Sequence, residues 1–272
     1  LTENDYVEGR QYADAVCYCG WNIDVHHVDG IFSGKQGEFN LNKQIPISPI
    51  PFGALYSKNI GNLMMVGRCI SVTHIGLGPT RVQLTTGTMG QAVGTAAAIA
   101  TKYDLLPRDA AQTKIEEIQA ALLEDDCFLP GLRREISPLA KKAKLTCDYG
   151  DCTNLINGLD RRIWGNDNGY FGKTNKAITY TFEKPELVNG VRLVLDSDLD
   201  REYTEGNPDG LHTSAVLFFP ASHNNTKFGF PKCLIKHYKI EILDKNNQWT
   251  TALEIKDNHQ RFIKHIQYPV NL

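Results

Sequence analysis

Three glycines and an alanine recur at spacings of three and four residues in one stretch of the chain. Gly87, Gly90, Gly94 and Ala98 lie in a segment predicted to be helical from about Thr80 to Tyr103, so they share one helix face. Each glycine costs a helix interior about 1 kcal/mol relative to alanine. A face without side chains lets a backbone, a sheet or a flat ligand come within contact distance. The spacing therefore predicts a close-approach site on this helix.

The start of the same helix offers a second kind of chemistry. The first amides of a helix have no intrahelical acceptor and carry the positive end of the helix dipole, so they stabilise negative charge. Before them, Leu63–Val66 is an apolar run closed by Gly67, which predicts a strand covered on both faces. A loop punctuated by Gly76, Gly78 and Pro79 connects this strand to the helix. The order of strand, loop and helix predicts a site for an electron-rich group.

The sequence from Gly61 to Ala100 resembles the C-terminal cofactor segment of FAD-dependent oxidoreductases of the glutathione-reductase type. It is similar to a bacterial family whose signature is close to NLLVAGRCIS, followed by an Arg-led helix ending in GQAAGTAAA. The residues that follow this pattern are Asn62, Leu63, Gly67, Arg68, Cys69, Ile70, Ser71, Arg81, Gly87, Gly90, Gln91, Gly94, Thr95, Ala96 and Ala97. The resemblance extends to about Phe128, a little under half of the chain.

The resemblance implies a cofactor and its contacts. In such enzymes the end of the strand meets the ribityl chain of FAD, and the helix N-terminus points at the pyrimidine edge of the flavin. Gly67 and Arg68 would then lie at the ribityl chain. The other implied cofactor-binding residues, by the pyrimidine edge, are Arg81, Thr86, Gly87, Thr88, Met89, Gly90 and Gln91. In the intact enzyme, hydride would pass from a small-molecule substrate to the flavin.

Two histidines are candidates for acid/base catalysis, because imidazole exchanges a proton near neutral pH. His26 lies in an Asp24-x-His26 segment that resembles the substrate-domain side of such flavoenzymes, in a predicted strand over Gly20–Val28. A structural histidine at a strand end is an equal alternative for His26. His74, in the glycine-rich loop, is the second candidate.

The nucleotide-binding half of such an enzyme is missing from the sequence. Nothing before Gly61 offers a strand, a Gly-x-Gly-x-x-Gly turn and an acidic residue about twenty positions later. The chain is therefore expected to be the C-terminal portion of the enzyme and not to retain FAD by itself. The expected partner that covers Leu63–Ala100 is the missing N-terminal dinucleotide-binding half or another copy of the chain.

Helical patterns flank the central helix. Tyr6–Val16 is predicted to be a helix, and Asp109–Leu123 is predicted to be an amphipathic helix with Ile115, Ile118 and Leu122 facing inward. With Leu63–Val66, these segments predict a mixed α/β unit over residues 1–140, which the resemblance implies is part of a flavoprotein domain.

The pattern changes to a period of two residues in the second half of the chain. The predicted strands lie at 178–182, 191–195, 238–242 and 249–255. Residues 145–272 are therefore predicted to be an all-β jelly-roll sandwich, which makes the whole chain α+β.

The segment Asn154–Gly169 resembles discoidin-like or galactose-binding-like domains. That resemblance implies a carbohydrate ligand held by loop aromatics, Trp164, Tyr170 and Phe171, with a packing domain as the alternative. Three function classes result: a portion of an FAD-dependent oxidoreductase, a polysaccharide-acting lyase or hydrolase, and a non-enzymatic carbohydrate-binding module. No carboxylate pair of the glycosidase type is evident, which favours the first.

Composition excludes other partner classes. The 272 residues carry a formal net charge of -2, so neither nucleic acid nor an anionic membrane is a predicted partner. No apolar run approaches the ~20 residues of a membrane span. The seven cysteines are an odd number, and the spacings of Cys17 with Cys19 and of Cys147 with Cys152 match neither a zinc ribbon nor a redox CxxC motif. Mostly reduced, partly buried thiols are predicted.

One acidic run could bind a cation. Asp196, Asp198 and Asp200 alternate near a predicted strand end, and oxygen ligands at such a spacing suit calcium. The EF-hand glycine and distal glutamate are absent, so a solvated acidic loop is favoured and no metal is predicted.

Overall fold

The computed structural model describes residues 1–25, 29, 32, 45–161, 168–188, 190–196, 234–244, 246–260 and 263–267. The chain divides into two compact units, Leu1–Arg134 and Glu135–Leu272. Helices dominate the first unit, and antiparallel strand pairs dominate the second. In the described ranges, no helix combines the length and apolarity that crossing a membrane requires.

The first unit is built on one long helix and one short sheet. Its elements are α1 (Glu3–Val7), β1 (Ala15–Cys19), β2 (Ser48–Pro51), α2 (Leu77–Thr80), α3 (Gln83–Lys102), α4 (Pro107–Thr113) and α5 (Ile115–Glu124), with 3-10 turns at Phe52–Ala54 and Gly67–Cys69. β1 and β2 pair antiparallel, and α3 packs against β1 and α5. This packing encloses the core of the unit, whose fully buried members include Tyr6, Val16, Ile50, Phe52, Leu55, Met89, Ala92, Ala96, Ile118 and Leu122.

The predicted helices are confirmed for the most part, with boundaries set by local backbone. The long helix begins at Gln83 rather than Thr80, because Val82 is extended (ψ 146°) and separates it from α2. The helix predicted over Asp109–Leu123 is interrupted at Lys114, where φ is -130°. Its buried positions include Ile118 and Leu122, as predicted.

Two predictions near the N-terminus are wrong. The helix expected over Tyr6–Val16 ends at Val7, because Gly9 takes a left-handed conformation (φ +63°) and Val16 instead belongs to β1. The strand expected over Gly20–Val28 is not formed by residues 20–25, and residues 26–28 lie outside the described part of the chain. The strand lies five residues earlier, at β1.

The strand predicted at Leu63–Val66 is also wrong. Met64 forms a single isolated bridge with Tyr56, while Leu63 and Val66 are 37% and 39% exposed. Two backbone hydrogen bonds flank this bridge: the Ser57 amide donates to the Leu63 carbonyl at 2.9 Å, and the Met65 amide donates to the Leu55 carbonyl at 2.8 Å. A doubly covered strand needs neighbours along both edges and over both faces, and this segment pairs along one edge only.

The second unit contains short strands in pairs. Its elements are α6 (Pro138–Lys142), β3 (Lys144–Cys147), a 3-10 turn (Thr153–Ile156), β4 (Ile178–Thr181), β5 (Gly190–Val194), β6 (Tyr238–Leu243), β7 (Trp249–Ile255) and β8 (Ile263–Gln267). The antiparallel pairs are β3 with β4, β5 with β8, and β6 with β7. The four strands predicted from the two-residue period are confirmed, whereas the jelly-roll sandwich stays a prediction because the described strands form three separate pairs.

The tightest backbone crossing in the first unit gives a testable prediction. A Cβ on Gly78 would lie 2.7 Å from the Asp24 amide nitrogen and 3.0 Å from its carbonyl oxygen. Because both atoms belong to the backbone, we expect Gly78→Ala to destabilise the unit by about 1–3 kcal/mol. Urea unfolding followed by the helical circular dichroism signal measures the effect.

Gly94→Ala is the matched control. No atom lies within 4 Å of a Cβ at this exposed helical position, so the variant should gain up to about 1 kcal/mol. Equal free energies of unfolding for the two variants would contradict the close contact between Gly78 and the Asp24 backbone.

Candidate functional site

The first turn of α3 has no side-chain cap. Its N-cap residue is Val82, whose side chain has no polar atom with which to accept a hydrogen bond from the first amides. The Val82 carbonyl does accept the Thr86 amide at 3.0 Å, which starts the helical ladder. The amides before Thr86 therefore remain directed out of the helix at its positive end.

The Gly67–Cys69 turn lies beside the start of this helix. Gly67 has φ +75°, a conformation that favours glycine, and a Cβ there would be 3.9 Å from Thr86 Cγ2. Arg68 is exposed on the same turn. The structure thus brings together Gly67 and Thr86, which are 19 positions apart in the sequence and were both predicted site residues.

The small-residue face of α3 is open. A Cβ on Gly87, Gly90 or Gly94 would meet no atom within 4 Å, and all three residues and Ala98 are exposed. The predicted close approach is therefore not made by any part of the chain that the structure describes.

The remaining predicted residues of the helix have different surroundings. Met89 is fully buried in the core, so its side chain faces away from the open side. Thr88 is half-buried and donates its hydroxyl to the Thr85 carbonyl at 2.8 Å, whereas Gln91 is exposed beside Gly90. Gln91 and the three glycines thus form the outward surface of α3, while Met89 anchors the helix.

Arg81 is held by an ion pair. Its Nη2 lies 2.8 Å from Asp24 Oδ2 and also donates to the Asp24 carbonyl oxygen at 3.4 Å. The two side chains are 30% and 20% exposed, so the pair is partly shielded from water. Arg81 therefore fixes the chain around Asp24 against the segment that leads into α3, next to the Gly78 crossing. The sequence spacing of 57 residues gave no signal of this contact.

The structure describes one of the two candidate catalytic histidines. His74 is exposed in the loop before α2. His26 lies outside the described residues, two positions after Asp24. The ion pair of Asp24 with Arg81 consequently fixes the chain at the last described residues before His26.

The predicted carbohydrate-binding residues lie in the second unit. Phe171 is 54% exposed, and Trp164 lies outside the described residues. The Tyr170 hydroxyl donates to the Tyr149 carbonyl at 2.6 Å, and partial burial together with neighbouring Cys147 raises the pKa of Tyr170. Tyr170 thus supports the turn that carries Tyr149. The sequence analysis missed Tyr149, which is an exposed aromatic residue. The position of Tyr149 between two cysteines was the signal that could have identified it.

The acidic run is only partly described. Asp196 follows β5, whereas Asp198 and Asp200 lie outside the described residues. Across the described ranges, no three His, Cys, Asp or Glu side chains are grouped so that they could hold a metal ion.

Comparison with protein families bears on the first unit. Residues 1–122 match the family model described as FAD dependent oxidoreductase. No curated protein and no solved structure matches the chain significantly. We refer to residues 1–122 as the flavoprotein segment. The match supports a flavin-linked redox function for this segment, and it implies that proteins of the matched family bind FAD.

The residues of the flavoprotein segment fit a flavin. The uncapped amides of α3 suit an electron-rich ring edge, and the open glycine face leaves room for a flat group beside the Gly67 turn. The helix N-terminus and the glycine face, which the sequence analysis treated separately, are thus neighbouring parts of one candidate site.

The Arg81–Asp24 contact yields a second prediction. Arg81→Gln should lower the free energy of unfolding by about 0.5–1 kcal/mol, because a partly exposed ion pair contributes modestly. The loss should shrink at high salt, where the wild-type pair is screened. Urea unfolding at low and high sodium chloride measures both effects.

Arg68→Gln is the control, since it removes an exposed arginine from the neighbouring turn. It should stay within about 0.5 kcal/mol of the wild type. If Arg68→Gln lowers the free energy of unfolding as much as Arg81→Gln does, the effect comes from the loss of one positive charge and not from the contact with Asp24.

Proposed function

We propose that the flavoprotein segment forms the flavin-facing part of an FAD-dependent oxidoreductase of the glutathione-reductase type. The reaction is oxidation of a small-molecule substrate, in which bound FAD supplies the hydride-accepting ring. The family match over residues 1–122 supports the redox class. The observation that carries the proposal is the uncapped start of α3 beside the Gly67 turn and the open glycine face.

The backbone at the start of α3 performs the electrostatic part of this function. The amides at its first turn and the positive end of a 20-residue helix stabilise negative charge on the ring edge that they face. Since these groups are fixed by the helix, no reorganisation is needed when the charge develops.

Gly67 and Arg68 bind the chain that leads from the ring. Gly67 allows close approach of the backbone because it has no side chain, and the exposed Arg68 guanidinium offers hydrogen-bond donors at the same turn. Arg81 acts indirectly, by holding Asp24 in place through the 2.8 Å ion pair.

The proposed partner is a dinucleotide-binding half, or a second copy of the chain. Leu63, Val66 and Leu84 are exposed apolar side chains near the open site, and Leu84 lies in the first turn of α3. A partner that covers them would also close the glycine face and exclude water from the flavin.

Gly90→Leu tests this proposal in the protein loaded with FAD. Filling the open face should weaken FAD binding at least about tenfold, or ~1.4 kcal/mol, because the side chain occupies the space of the flat ligand. Without FAD, the same substitution should leave the free energy of unfolding of the chain unchanged or raise it by up to about 1 kcal/mol. The reason is that no atom lies within 4 Å of a Cβ at Gly90. Flavin absorbance of the purified protein and urea unfolding are the two measurements.

Ala98→Leu is the matched control, two helical turns further along the same face and about 12 Å away at 1.5 Å per residue. It should retain FAD. Full retention of FAD by Gly90→Leu, or equal loss in both variants, would overturn the proposed position of the flavin.

We further propose that the second unit is a galactose-binding-like sandwich that binds carbohydrate. The supporting observation is the exposure of two aromatic rings close in sequence to the Tyr170 hydrogen bond, those of Tyr149 and Phe171. Exposed aromatic faces suit the apolar faces of sugar rings. Lys173 Nζ lies over the Tyr149 ring, 4.7 Å from its centre, and offers a hydrogen-bond donor beside this aromatic.

Affinity electrophoresis in gels containing galactomannan tests the carbohydrate proposal. Phe171→Ala should weaken the retardation by up to about tenfold, since an aromatic contact of this kind contributes ~0.5–1.5 kcal/mol. Trp249→Ala, which removes an equally exposed aromatic from β7, is the control and should migrate like the wild type. Unretarded wild-type protein, or equal loss in the two variants, would contradict a site at Phe171.

A further inference from the structure

A second reactive centre lies in the turn that follows β3. Cys147 ends this strand and Cys152 follows five positions later, while Gly150 between them takes a left-handed conformation (φ +73°). The Cys147 thiol donates to the Gly150 carbonyl at 3.4 Å, and it also interacts with the Cys152 thiol, whose pKa it raises. The turn thus holds two thiols in side-chain contact.

The surroundings keep both thiols in this arrangement. Cys147 is paired with Ile178 across β3 and β4, which fixes its backbone. The Tyr170 hydroxyl is bonded to the Tyr149 carbonyl at 2.6 Å, and the Tyr170 ring adjoins Gly150. Strand pairing therefore holds one side of the turn and Tyr170 the other.

The two thiols differ in accessibility. Cys152 is buried, and the interaction with the Cys147 thiol, together with burial, raises the pKa of the Cys152 thiol. Cys147 is half-buried, so it is the more accessible of the two. This asymmetry suits a reaction in which an outer thiol meets the oxidant first and an inner thiol completes the exchange.

We propose that Cys147 and Cys152 form a reversible disulfide by exchange with a low-molecular-weight disulfide of the glutathione class. The Cys147 thiol loses its proton and attacks one sulfur of oxidised glutathione, whose disulfide bond breaks. The released glutathione thiolate takes up a proton, and Cys147 carries the mixed disulfide. Cys152 then loses its proton and attacks Cys147 Sγ, which releases the second glutathione as a thiol.

The exchange is balanced in atoms and electrons. Two protein thiols are oxidised by two electrons, and one glutathione disulfide is reduced to two glutathione thiols. The ring that closes contains Tyr149, so oxidation fixes the turn that presents this exposed aromatic. Excess reduced glutathione reverses the exchange and restores both thiols.

The other described cysteines differ in accessibility, and Cys127 is half-buried close to Cys17. Cys17 and Cys19 are buried in β1, and burial raises the pKa of Cys19 to about 12, so neither is available to an oxidant in solution. Cys69 is exposed in the Gly67–Cys69 turn and is the internal reference for reaction of an isolated thiol.

Peptide mapping of the full chain tests the proposal. Cleavage by trypsin after Lys144 and Arg161 releases one peptide that contains Cys147 and Cys152 and no other cysteine. After incubation with oxidised glutathione, this peptide should resist alkylation and be lighter by two hydrogens. Incubation with reduced glutathione should restore two alkylation sites.

Two variants separate the steps. Cys152→Ser should accumulate a glutathione adduct on Cys147, because no second thiol resolves it, and Cys69→Ser should leave the internal disulfide unchanged. The wild-type map decides the question even if Cys152→Ser fails to fold. Persistent glutathione adducts in the wild-type peptide, two freely alkylated cysteines, or a link from either residue to any other cysteine of the chain would overturn the proposal.

Discussion

The packing of α3 against β1 is the contact on which the first unit depends. Met89, Ala92 and Ala96 are fully buried along one side of the helix, and the two alanines allow the helix to approach the sheet closely. Because this side is fixed in the core, the glycines on the other side must point outward. The open face of α3 is therefore a consequence of how the core is packed.

Two polar contacts hold the surrounding segments to this core. Gln119 Nε2 on α5 donates to the Ala13 and Ala15 carbonyls at 2.8 and 2.9 Å, which ties the helix to the start of β1. Arg81 ties Asp24 to the segment before α3. Each contact supplies a partner for a group that would otherwise lose its hydrogen bonds on burial, so each fixes a loop without enlarging the apolar core.

Local patterns predicted the elements of the fold better than its long-range pairings. The helix α3 and the strands β4 to β7 followed from their periods, since these repeat within one segment. Leu63–Val66 was predicted wrongly because burial of a strand depends on neighbours that its own sequence does not specify. The candidate site shows the same division. Gly90 was identified from spacing and Gly67 from the family resemblance, whereas the pairing of Arg81 with Asp24 and the exposure of Tyr149 depend on distant chain segments.

The start of α3 departs from several rules of helix stability at once. Its N-cap is a valine, and its exposed face has three glycines, each of which costs about 1 kcal/mol relative to alanine. A serine cap and exposed alanines would suit the isolated helix better, and the buried face would be unaffected by them. Local choices that lower stability without improving the core are expected where a surface meets a ligand or a partner. The proposed flavin site would give this departure a chemical reason, because free amides suit an electron-rich ring edge and an open face without side chains suits a flat group.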